Sequence, residues 1–288
     1  MRSLIVTGDD FGSSADVNGA IVDAHRRGVL TAASLMVTGS AAEEAVALAR
    51  ENPTLAVGLH LVLVDGRAAL PAGQVPNLVG PGGLFPRSPL RAGLRYRFSA
   101  AARSELRLEI REQLERFRRT GLRLAHLDGH HHLHLHPAVL DVLLELAEEF
   151  QIPAIRLPAE ELDTAFALDK GRLNRIRNAV WSPIFRALRR RAELQLAAAG
   201  VGFADRVYGL FATGAIDEAY LLRLLPRMRG ARVELYAHPS LAAGGGGRAE
   251  LEALLSRRVR DAIRENGFRL AGRAERDAPR QTAFGVPQ

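Results

Sequence analysis

The chain has 288 residues, 47% hydrophobic and 25% charged, with no cysteine and a formal net charge of +7. That length suits one large α/β barrel or two small domains, and the missing thiols exclude disulfides, Cys-ligated zinc and thiol catalysis. Lys170 is the only lysine, which sets aside most lysine-based covalent chemistry; the many arginines alternate with glutamates and lack aromatic stacking motifs, which argues against a nucleic-acid partner.

Apolar runs and helical patterns alternate along the chain. Residues 4–7 read as a strand and 16–27 as a helix with Val17, Ala20, Ile21 and Ala24 on one face. A strand at 34–37 and a helix at 41–51 follow, then a strand at 55–63. Residues 104–118 form a charged helix with Leu106, Ile110, Leu114 and Phe117 at helical spacing. Next come a strand at 123–127, a helix at 138–150, a strand at 153–157, a late strand at 233–237 and a last long helix at 250–266. Two stretches interrupt the alternation: a Gly-, Pro- and Arg-rich insertion near 64–94, of the kind that forms lids or binding loops, and a basic helical one near 169–199. The expectation is a single barrel domain over 1–273 with a frayed tail at 274–288. Strand–helix alternation throughout predicts parallel strands with helices outside. A doubly wound open sheet is the competing arrangement, weakened by the lack of a Gly-x-Gly-x-x-Gly turn after the first strand.

The polar residues that matter sit where strands end: Asp9 and Asp10, His60, Asp128 with His130, and His238. Their convergence predicts a barrel with its site at the C-terminal face. Adjacent carboxylates ending an apolar strand are costly without a positive partner. A divalent cation held by one carboxylate and two imidazoles meets that need and leaves the second carboxylate free as a base. Six of the nine histidines lie between 126 and 136; in an extended segment His126, Asp128, His130 and His132 share one face, and only one or two can be direct ligands.

With Gly8-Asp9-Asp10-Phe11-Gly12, Gly58-Leu59-His60-Leu61, His126-Leu127-Asp128-Gly129-His130-His131-His132-Leu133-His134 and Glu234-Leu235-Tyr236-Ala237-His238-Pro239 in this order, the chain resembles the YdjC-like (ChbG/HpnK) carbohydrate deacetylases. The resemblance implies a distorted (β/α) barrel of the NodB-like, glycoside hydrolase/deacetylase type that removes acetyl groups from N-acetylated sugars. It assigns Asp10, His60 and His130 as metal ligands, Asp9 as general base and His238 as general acid. Asp128, His126 and His132 are left to support the ligands or touch substrate. The sequence departs at Gly129, where serine is common, and at Ala237, where cysteine is common; neither is a ligand. Residues 205–211 and the basic insertion look most like the branch associated with hopanoid biosynthesis, which implies an N-acetylglucosaminyl hopanoid as substrate. Chitooligosaccharides such as diacetylchitobiose are the alternative, and a non-catalytic metal-binding protein is the reading of another class.

One divalent ion is expected, zinc being favoured by mixed O/N ligands and magnesium admitted. The N-terminus does not read as a signal peptide and no apolar run reaches membrane-helix length, so the expected location is cytoplasmic. Residues 170–191 hold eight basic and no acidic residues, interleaved with Trp181, Ile184, Phe185 and Leu188. That pattern fits either contact with the inner membrane face or a helix packed on the barrel. Oligomeric state is open, a homodimer included.

Overall fold

A computed structural model describes residues 2–158, 164, 167, 168 and 175–272, with side chains from 182 onward in the last stretch. Seven strands make one sheet: β1 (Arg2–Phe11), β2 (Ala32–Leu35), β3 (Ala56–Leu61), β4 (Leu127–Gly129), β5 (Arg206–Tyr208), β6 (Arg232–Ala237) and β7 (Phe268–Leu270). The order is β4-β3-β2-β1-β6-β5, with β7 beside the start of β1, and every pairing is parallel. Among the described residues, the sheet continues past β4 through single bridges, Leu127 to Ile155 and Ala154 to Gly202. The fold is therefore the expected α/β arrangement, a distorted barrel of parallel strands.

Burial explains why β1 is so apolar. Leu4, Ile5 and Val6 are all inside, as happens when both faces of a parallel sheet are covered. Helices α1 (Ala15–Arg27), α2 (Ala42–Glu51), α3 (Pro89–Phe98), α4 (Ala100–Arg119) and α5 (Pro137–Leu146) follow, and later helices span Arg175–Ala198, Glu218–Leu224, Gly246–Leu255 and Arg257–Glu265. Among the described residues, no helix is long and apolar enough to cross a membrane.

Several expected elements are corrected. The run at 153–157 is not a strand but two bridged residues. The late helix at 250–266 is two helices, because the Ser256 side chain accepts from Val259 N and caps the second. β5, β7 and the helix Glu218–Leu224 escape the pattern because each is short. The insertion near 64–94 is pinned down rather than open: the buried Glu109 carboxylate accepts from Ala69 N (2.7 Å) and Leu70 N (3.0 Å), and Gln113 bonds both backbone groups of Val62. Its end forms α3. In the basic insertion, Lys170 and residues 171–174 lie outside the described residues, as does the Trp181 side chain. Phe185 and Leu188 pack against the core, with Ala192 and Leu196 buried beyond them, so that face of the helix turns inward.

Candidate functional site

In a regular strand Asp9 and Asp10 would point to opposite faces. Here the register of β1 slips between Gly8 and Phe11, and Asp10 takes a left-handed backbone conformation (φ +62°). Such bulges re-aim side chains at strand ends. The two carboxylates consequently face different partners at one end of the barrel.

Asp10 Oδ1 lies 3.3 Å from His60 Nε2, at the end of β3, and 3.1 Å from His130 Nδ1, just past β4. One ligand atom from each of these three residues falls within 4.8 Å of the others. The other nitrogen of His60, Nδ1, is 2.8 Å from Asp128 Oδ1 on the adjacent strand, which leaves Nε2 as the atom that faces Asp10 and that would ligate a metal. A carboxylate behind a histidine is how ligating imidazoles are oriented. One carboxylate and two imidazoles are a donor set that suits a divalent ion such as zinc.

Behind this triad lies a residue that the sequence reading missed. Arg156 is fully buried and contacts three carboxyl groups. Its Nη1 and Nη2 donate to Asp9 Oδ2 (2.6 Å) and Oδ1 (2.8 Å), its Nη2 also lies 2.8 Å from Asp128 Oδ2, and its Nε donates to Glu234 Oε1 (3.0 Å). The guanidinium rests 4.6 Å from the centre of the Tyr236 ring. A charged residue inside the apolar run Ile155-Arg156-Leu157 was the available signal, as was Glu234 between Val233 and Leu235. Three carboxyl groups thus share one buried guanidinium, with Asp10 a fourth beside them on His60 and His130, a negative excess that a divalent cation would offset. The carboxyls of Asp10 and Asp128 are held well below the usual range: burial opposes this, but hydrogen bonds from His130 and His60 at Asp10, and the Arg156 charge at Asp128, outweigh it. Burial alone would also lower His60, yet the Asp128 charge and the hydrogen bonds to Asp10 and Asp128 push it up to about 10. Replacing Arg156 with methionine keeps the apolar stem and strands these carboxyl groups, so chemical denaturation should show a loss of about 3–5 kcal/mol. A change below about 1 kcal/mol would mean that the cluster is not held by this cation.

The histidine tract does not run extended, contrary to expectation. The chain leaves β4 at Gly129 and winds into a 3-10 turn, His130–Leu135, in which His131 and His132 are left-handed (φ +51° and +58°). The shared face therefore ends at Asp128. His126 lies further back: its Nε2 is 2.9 Å from Ser34 Oγ, which donates to Asp128 Oδ2 at 2.7 Å. Its ring fills the space where a Cβ at Gly58 would stand, only 2.5 Å away, which explains the glycine before Leu59-His60. His132 turns to Tyr236, with Nε2 2.9 Å from the phenol oxygen. His238 follows β6, about a third exposed, with Nε2 4.0 Å from Asp9 Oδ2. Its backbone N–H donates to the buried Glu250, whose carboxyl burial pushes up.

His134 is not a ligand candidate; its Nε2 bonds the carbonyl of Arg156 at 2.9 Å. Burial pushes it down to about 4, despite opposing help from Asp128 and that carbonyl. The unfolded chain binds this proton near pH 6.5, the folded one only near 4, so its contribution is complete above 6.5 and disappears as the pH falls through 4. The loss is roughly 3 kcal/mol. His134→Gln should shrink the stability drop between pH 7 and pH 4 by about that amount; equal drops in both proteins would contradict it.

Comparison with known proteins adds four findings. A family model described as YdjC-like protein matches residues 3–265. A carbohydrate deacetylase from Brevibacillus brevis is 49% identical over 156 residues, 54% of this chain and 59% of its own length. One from Geobacillus stearothermophilus is 43% identical over 53% of this chain and 58% of its own length, so the matches span somewhat more than half of these relatives. A crystal structure from Enterococcus faecalis V583, described as a candidate for cellobiose-phosphate cleavage, superposes with a TM-score of 0.73 at 27% identity, covering 94% of this chain and 97% of that one.

Proposed function

The chain belongs to the YdjC-like family, and from that premise we propose that it is a metal-dependent carbohydrate deacetylase hydrolysing the N-acetyl group of an N-acetylglucosaminyl compound. The observation that carries the reading is the Asp10, His60 and His130 triad, with Asp9 and His238 beside it at the strand ends. The two deacetylase relatives support it.

Amide hydrolysis needs an activated water, a stabilised oxyanion and a proton for the departing amine. A divalent ion held by Asp10, His60 and His130 supplies Lewis acidity and makes water easier to deprotonate. Asp9 takes the proton of the attacking water. Arg156 holds both Asp9 oxygens in place, and each oxygen keeps a further lone pair for the proton. His238, across Asp9, delivers a proton to the amine. Asp128 orients His60, and Ser34 with His126 orients Asp128.

The substrate we favour is an N-acetylglucosaminyl hopanoid, with chitooligosaccharides as the alternative. Zinc is the favoured ion. A hopanoid substrate resides in a bilayer; the sequence offers residues 170–191 for that contact, while Phe185 and Leu188 face the core. The test is acetate release from N-acetylglucosaminyl lipids and from chitooligosaccharides, with and without chelator. Chelator-sensitive release identifies the activity, and the preferred substrate identifies the branch. Metal-replete protein that releases acetate from neither would be a metal-binding protein instead.

A further inference from the structure

The connection leaving β3 carries an apolar surface that no packing in the described residues explains. On α3, Ala92 and Tyr96 are buried, whereas Leu90, Leu94 and Phe98 are 59%, 51% and 75% exposed. At helical spacing these three form one continuous stripe, directly opposite the buried pair. Single exposed leucines need no explanation, but a contiguous stripe rimmed by polar groups marks an interaction surface. Arg97 borders it on one side and Arg91 on the other, both exposed and neither with a carboxylate partner among the described residues. Charge over the whole connection is one-sided: between Asp65 and Glu105 there are six arginines (67, 87, 91, 95, 97 and 103) and no acidic residue.

We propose that α3 is an interfacial helix that seats the protein on an anionic lipid bilayer, with Leu90, Leu94 and Phe98 entering the headgroup region and the flanking arginines meeting lipid phosphates. An amphipathic helix with apolar centre and basic borders is the form such contacts take. A second copy of the chain is a poorer occupant, since two such surfaces would oppose arginine with arginine. The position is also apt. The connection emerges from the C-terminal end of β3, where His60 lies, and Tyr96 stacks edge-on against His136 at the end of the histidine turn. Docking would therefore bring the mouth of the site to the bilayer. The inference does not rest on the deacetylase reading, because binding is measured without substrate or turnover.

Co-sedimentation with phosphatidylcholine vesicles, with and without phosphatidylglycerol, tests it. The wild-type protein should bind the anionic vesicles at low salt, bind neutral ones far less, and be released by salt. Replacing both Arg91 and Arg97 with glutamine should weaken binding roughly 30-fold. The pair Leu94→Glu and Phe98→Glu should abolish binding and leave the melting temperature intact. Because the chain has no cysteine, Phe98→Cys offers a unique attachment point for a polarity-sensitive dye. Its emission should shift to the blue on anionic vesicles, and that of a dye at Asp261→Cys, on the helix Arg257–Glu265, should not. Absence of wild-type binding at low salt would overturn the proposal. So would full binding by the glutamate pair, an unshifted dye at position 98, or stripe-dependent dimers in sedimentation velocity without vesicle binding.

Discussion

Protein carrying His130→Ala is expected to emerge folded but with metal content reduced from about one equivalent to a small fraction of that, and without measurable acetate release. His130 is the cleaner of the two imidazoles to remove, since it is partly exposed and its Nδ1 pairs with Asp10 rather than with a fully buried carboxylate. His60→Ala should lose metal as well, but it also strips Asp128 of a buried partner, so a fall in stability should accompany it. Metal analysis alongside circular dichroism separates the two effects. Full occupancy in His130→Ala would remove this residue from the ligand set.

The adjacent aspartate should behave differently. Asp9→Asn retains the shape of the side chain and is predicted to keep metal and substrate, while turnover falls by about 10²–10⁴-fold, because an amide cannot take the proton from water. The loss should appear in kcat rather than KM. Weakening of the pair with Arg156 will also lower stability, so rates must be compared on protein verified as folded at the assay temperature. Near-wild-type turnover would place the base elsewhere.

Much of this site was legible as sequence. The ends carrying Asp9 and Asp10, His60, Asp128 with His130, and His238 could be grouped because parallel strands end on one side of a barrel, while the choice of Asp10, His60 and His130 among them came from the family resemblance. Arg156 was not legible. Its run, 153–157, read as an ordinary strand, and only the folded sheet shows that its side chain reaches carboxyl groups from β1, β4 and β6 at once. The histidine turn misled for a related reason. Period-two spacing predicts a shared face only while the backbone stays extended, and His131 and His132 are left-handed, a conformation that histidine enters more readily than most residues but that its spacing in the chain does not announce. Asp10 is the same case at the end of β1. α3 was hidden inside a stretch whose Gly and Pro content reads as loop, although Ser88 and Pro89 together form a serviceable helix start.

Among the described residues, the bridges Leu127 to Ile155 and Ala154 to Gly202 make a thin seam beyond β4, and Arg156 stands directly beside them. Few backbone hydrogen bonds cross that seam, so Arg156 acts there as a buried electrostatic bolt beside a very short ladder. The helix Arg175–Ala198 braces the same seam from outside: Arg189 donates to the carbonyls of Leu157, Ala204 and Asp205, and Phe185 meets the His132 ring edge-on. The joint is thus spanned by two buried arginines, one gathering carboxyl groups within the barrel and one gathering backbone carbonyls from both sides of the gap.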